Sequence, residues 1–157
     1  MAITVAERFI NYLNDTDQER MDNIKEGHKK HCDMYGRKTP KLASKSIDMW
    51  GAVNENIYLM RGAKFVGCSG HGGVLTSRAV NNAIDEPFRC SDYAGLGVYE
   101  EDCDFANYAA YFPGSVKNAV EKEFGKNKDN VRAYFVNMII DYHKEEEVEK
   151  FLVSKGY

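Results

Sequence analysis

Two short segments hold most of the residues able to do chemistry. The first is Cys68-Ser69-Gly70-His71-Gly72-Gly73. A histidine among glycines is approachable, and it can act as base, acid or ligand near neutral pH. Glycine-rich backbone also offers amide groups to an anion. The segment is neither a phosphate-binding GxxxxGK[ST] loop nor a GxSxG elbow. The second segment is Glu100-Glu101-Asp102-Cys103-Asp104. Four carboxylates in five residues repel one another unless solvated or paired. Cys103 beside His71, with Glu101 orienting the imidazole, would make a thiol nucleophile. The same residues admit plainer readings. In these the glycines make a tight turn, His71 bonds the backbone, Cys103 is a small apolar side chain, and the acids form a solvated edge. As a binding surface, the two segments offer Gly70, Gly72, Gly73, Tyr99, Glu100 and Asp102.

A metal reading would join Cys68, His71, Cys90 and Cys103 as three thiolates and an imidazole. Cys68 and His71 have half-site spacing, but the other two cysteines are isolated, so neither metal nor cofactor is assigned. His28 and His31 lie one turn apart on a polar segment with Cys32, which reads as a solvated helix face. Glu145-Glu146-Glu147 opens a helix, where negative charge is favourable.

The elements that must position these groups follow from apolar spacing. Thr4 with Glu7 forms a capping box for a helix over residues 5–14. Asn14-Asp15 breaks it, and Thr16 with Glu19 opens a second, polar helix to about Tyr35, stopped by Gly36. Strands are expected at 56–60 and 64–68, turning at Arg61-Gly62, with a further short strand at Val74-Leu75-Thr76. Ser77 caps a helical turn through Val80 and Ile84, and Pro87 ends it. Residues 88–98 read as loop. The stretch from Tyr99 to Tyr111 suits strand or helix, with Ala106, Ala109 and Ala110 favouring helix. Ser115 opens a helix to Phe124. The clearest helix spans 129–142, with Val131, Tyr134, Phe135, Met138, Ile139 and Tyr142 on one face. A last helix spans 145–154, with Val148, Phe151 and Leu152 inward. The fold class is therefore α+β: a small antiparallel sheet in the middle of the chain, packed by N- and C-terminal helices.

The 157 residues fit one domain, 1–157, with a motif-bearing core at 50–113 and helical flanks at 1–48 and 114–157. Lys and Arg number 21 against 24 Asp and Glu, a net charge of −3, which argues against broad binding to a nucleic-acid backbone. No apolar run reaches the roughly 20 residues of a membrane span. The first residues do not read as a secretory signal, so reduced thiols and a cytoplasmic location are expected. Ten tyrosines exceed what a core of this size needs, which suits a binding surface.

Trp50-Gly51, Gly70-His71-Gly72-Gly73 through Ser77, Asn81-Asn82-Ala83-Ile84, Val98 through Phe105 and Phe112-Pro113 occur in this order. The series resembles an uncharacterised domain family of phages, prophages and plasmids. Its pattern is W-G…S-H-G-G…L-S…N-A-x-I-P…W-Y-E-E-D-C-[DE]-W…F-P, and it is often found near antirestriction genes. Here Gly70 stands for the family's serine, and Val98 and Phe105 for tryptophans. Asp85 and Glu86 intervene before Pro87, and Cys68 and Cys90 fall outside the pattern. The resemblance implies a genomic setting: a counter-defence protein, of the antirestriction or anti-CRISPR kind, that binds a host protein in the host cytoplasm. The alternative is a thiol hydrolase or transferase built on Cys103, His71 and an acid, acting on a host protein or nucleotide signal.

Overall fold

The computed structural model describes residues 2–36, 42, 50–91, 96–102 and 104–157, and the backbone of 46–47. In chain order the elements are α1 (Val5–Tyr35), β1 (Ser46–Ile47), β2 (Gly51–Met60), β3 (Ala63–Cys68), β4 (Gly72–Thr76), α2 (Arg78–Asn82), β5 (Gly97–Glu100), α3 (Phe105–Tyr111), α4 (Pro113–Val116), α5 (Glu121–Phe124), α6 (Lys128–His143) and α7 (Glu145–Ser154). The class is α+β, with an antiparallel sheet mid-chain and helices before and after it. Backbone contacts divide the chain into two compact units. One is Glu19–Phe105, and the other joins Met1–Gln18 to Ala106–Tyr157.

The unit of Glu19–Phe105 carries the sheet. Its strands lie in the order β1-β2-β3-β4-β5, each antiparallel to the next. The expected hairpin forms, with β2 and β3 turning at Arg61-Gly62. Gly62 has φ +88°, and a Cβ there would lie 2.6 Å from His28 Nε2 and 2.7 Å from Ser77 Oγ. Glycine is required both by the turn and by the close approach of α1. Ser77 caps α2 as expected, its Oγ accepting from Val80 N at 3.3 Å. Val66, Val74, Val80, Ile84, Phe88 and Tyr99 are buried here, and Ile24 joins them from α1.

The first helix differs from expectation. It runs unbroken from Val5 to Tyr35. Thr4 caps it, its Oγ1 accepting from Glu7 N at 3.1 Å. Asn14 and Thr16 do not interrupt it. Thr16 Oγ1 donates back to Tyr12 O at 2.7 Å, and Asn14 Oδ1 accepts from Arg132 Nη1 at 2.7 Å. Of the polar residues that read as a break, Asn14 serves a buried arginine. Farther along, Arg20, Ile24 and His28 are buried at four-residue spacing. His28 therefore does not sit on a solvated face, because α1 turns it inward to Ser77.

The other unit packs Phe9, Tyr12 and Leu13 of α1 with aromatic residues from later in the chain. Phe9 meets Tyr111 and Phe151 edge to face at 6.3 and 6.1 Å. Arg132 is 3% exposed, and five hydrogen bonds satisfy it. Two go to Asp17 (2.7 and 2.8 Å), one to Asn14, and two to the carbonyls of Ala110 and Tyr111. Its burial rotates the inward face of α6 to Val131, Arg132, Phe135, Val136 and Ile139. Tyr134 and Tyr142, expected on that face, are 48% and 60% exposed. The helix expected over 115–124 is two short ones, α4 and α5, separated by turns. Pro113 supplies the first turn of α4, and Ser115 Oγ donates to Phe112 O. Gly125, at φ +64°, closes α5. The last helix has its expected bounds, and Val148, Phe151 and Leu152 are buried.

Candidate functional site

β4 begins at Gly72 and pairs with β5, so Gly73 lies opposite Glu100. This register brings the histidine–glycine segment and the acidic segment together, as their chemistry requires. Glu101 N donates to Gly72 O at 2.9 Å, extending the pairing by one step. The turn from Cys68 to His71 is closed by Cys68 N donating to His71 O at 2.7 Å. His71 Nδ1 and Glu100 Oε1 then lie 2.8 Å apart. The carboxylate accepts, so Nδ1 carries the proton. The His71 side chain is 50% exposed and that of Glu100 37%.

The glycines act through the space they leave, not through unusual backbone angles. Gly70, Gly72 and Gly73 are absent from the positive-φ positions. A Cβ on Gly73 would lie 2.3 Å from Tyr99 O and 2.8 Å from Trp50 Cη2. One on Gly72 would lie 2.9 Å from Glu101 Oε2. Around Gly70 there is nothing within 4 Å. Trp50 thus reaches over Gly73, and its ring lies nearly parallel to that of His71, at 10° and 6.4 Å between centroids.

The expected site residues divide. His71, Gly70, Glu101 and Asp102 are exposed, and Glu100 is half-buried. Gly72, Gly73 and Tyr99 are buried and form the floor of the site. Tyr99 Oη donates to Asn81 Oδ1 at 2.6 Å and accepts from Cys90 N at 3.3 Å, and its burial raises its pKa. The orienting carboxylate of His71 is Glu100, not Glu101. Residues alternate along β5, and the turn at 68–71 sets the imidazole over position 100. Cys103 lies outside the described residues. Cys32, Cys68 and Cys90 are free thiols. Among the described residues no three of His, Cys, Asp and Glu come together to hold a metal ion.

Sequence reasoning missed two features. Trp50 was visible only as part of a motif, with nothing to say that its ring faces His71. His28 was missed because its neighbours on α1 are charged. The four-residue spacing Arg20, Ile24, His28 was the available signal.

Residues 43–150, more than half of the chain, match the domain of unknown function DUF7007. The chain belongs to this family. The DUF7007 match reaches past the motif span of 50–113 and takes in α3 to α6 and part of α7. No curated protein and no solved structure matches the chain. Among the described residues no helix is long and apolar enough to cross a membrane.

Proposed function

We propose that this DUF7007 protein is an accessory protein of a phage or other mobile element. It acts in counter-defence, by binding a protein of a bacterial immune or restriction system through the face that carries Trp50, His71 and Glu100. The observation that carries this reading is the half-exposed His71–Glu100 pair beside the Trp50 ring. An aromatic ring next to a charge-capable hydrogen-bonding pair is the kind of anchor that protein interfaces concentrate. The pair is already made, so little ordering cost remains when a partner arrives. The resemblance to a family found near antirestriction genes supplies the setting.

The experiment is expression in a bacterial host that carries one restriction or CRISPR system at a time, followed by phage challenge. The protein is expected to raise plating efficiency to that of a host lacking the system. Trp50→Ala and Glu100→Gln are expected to abolish the effect while the protein stays folded. Protection that survives both substitutions sinks this face as the binding surface.

One observation favours a second reading. A carboxylate on Nδ1 with Nε2 left over is how a general base is oriented for a nucleophile. In that reading Cys103 is the nucleophile of a thiol hydrolase or transferase. Cys103→Ser separates the two, since a binder keeps its protection and an enzyme loses it.

A further inference from the structure

Three groups on the face proposed for a partner fit the chemistry of one kind of side chain. The rings of Trp50 and His71 lie nearly parallel, with 10° between their planes and 6.4 Å between centroids. That separation is near the far end of the roughly 4.5–7 Å over which rings stack. The imidazole therefore leaves much of the indole face uncovered. Trp50 is partly exposed and His71 exposed, and a Cβ on Gly70, beside His71, would meet nothing within 4 Å. A flat group has room to lie against the indole.

The third group supplies charge. Glu100 Oε1 accepts from His71 Nδ1 at 2.8 Å, and the Glu100 side chain is 37% exposed. A carboxylate accepts at both oxygens, so Oε2 still has lone pairs for a donor. Among the described residues the Glu100 side chain has no lysine or arginine partner. Lys64 does not neutralise it from the sheet. Lys64 pairs in register with Leu75, and Leu75 with Val98, whereas Glu100 pairs with Gly73. Lys64 thus stands two strands over and two residues along from Glu100, about 12 Å by ordinary strand spacing. That is more than the roughly 8 Å over which salt leaves exposed charges in contact.

We infer that this face takes an arginine side chain of the partner. The guanidinium lies on the indole of Trp50, beside the imidazole of His71, and its N–H groups donate to Glu100. The inference rests on the reading of this face as the partner surface, and it names what the surface binds. Arginine matches each group in turn. Its plane suits the parallel rings, its charge suits the indole face, and its fork of donors suits a carboxylate. Lysine brings the charge without the plane. Citrulline, the uncharged urea of the same shape, brings the plane without the charge.

Trp50 is the single tryptophan of the chain, so its fluorescence reports the site directly. The full chain is titrated with three capped pentapeptides that have two glycines on each side of an arginine, a lysine or a citrulline. The arginine peptide is expected to change the emission saturably, with a Kd of about 1–10 mM. The lysine peptide is expected to bind about fivefold more weakly or worse, and the citrulline peptide not to saturate. Glu100→Gln is expected to weaken the arginine peptide about fivefold or more. Glu123→Gln, exposed on α5, is expected to bind as the wild type does. Equal midpoints for arginine and lysine overturn the inference, because a plain acidic surface does not tell them apart. So does a flat arginine titration, or a folded Glu100→Gln that binds like the wild type. Should Glu100→Gln change the far-UV spectrum, the ratio of arginine to lysine binding in the wild-type chain decides alone. A flat arginine titration, with counter-defence lost in Trp50→Ala, strikes arginine and leaves the face. Arginine binding, with counter-defence that survives Trp50→Ala and Glu100→Gln, keeps the arginine site and strikes the counter-defence reading of it.

Discussion

His28 is 2% exposed, and its Nε2 lies 2.9 Å from Ser77 Oγ. Burial lowers its pKa below the ordinary 6.5, and the positive charge of Arg61 and the neighbouring His31 lower it further. The neutral ring is therefore the folded form. At high pH both folded and unfolded chains hold it neutral, and it adds no pH dependence. As pH falls through about 6.5 the unfolded chain takes up a proton that the folded one refuses. Stability is then lost, progressively, until the folded pKa is passed. The expected outcome is a lower urea midpoint at pH 5.5 than at pH 7.5, with His28→Gln flattening the difference. Equal pH dependence in both proteins would assign the effect elsewhere. His71, by contrast, keeps half its side chain exposed beside Glu100.

Within the elements, β4 shows why adjacent glycines are not equivalent. Gly73→Ala drives a Cβ to within 2.3 Å of the Tyr99 carbonyl, which cannot move without parting β4 from β5. Overpacking of this kind costs about 1–3 kcal/mol or more. Gly70→Ala meets nothing within 4 Å and keeps an ordinary backbone. Thermal melting is expected to fall clearly for Gly73→Ala and to stay near wild type for Gly70→Ala. Equal melting temperatures would mean that the register Gly73–Glu100 is wrong. The hairpin, the cap at Ser77 and the last helix were legible in the sequence, because each rests on neighbours in the chain, and the meeting of the histidine and acidic segments, 29 positions apart, was legible from their complementary chemistry. What escaped the sequence depends on distant partners. Asn14 and Thr16 read as a helix break because nothing nearby says that Arg132 is buried beside Asn14. The same arginine turned the face of α6, since an apolar pattern gives a charged residue to the solvent. Glu100 and Glu101 are equally plausible partners for His71 until the register of β5 chooses between them.

Across the whole molecule, the bond between Arg132 and Asp17 joins residues 115 positions apart. Removing one member of a buried pair costs roughly 3–5 kcal/mol. Asp17 keeps 38% of its side chain exposed, and Asn14 with two carbonyls still holds the guanidinium. Asp17→Ala is therefore expected at the low end, about 3 kcal/mol, read as a lower urea midpoint. An unchanged midpoint would show that Asn14 and the two backbone carbonyls suffice. The two units also differ in how they use the chain. Glu19–Phe105 is one continuous stretch, whereas the other unit draws on both Met1–Gln18 and Ala106–Tyr157. During translation the first helical turns leave the ribosome long before their partners are made. At about 5–20 residues per second, several seconds separate the synthesis of Asp17 from that of Arg132. Phe151 is made later still, so a nascent chain halted before it leaves Phe9 without one of the two rings that it meets edge to face.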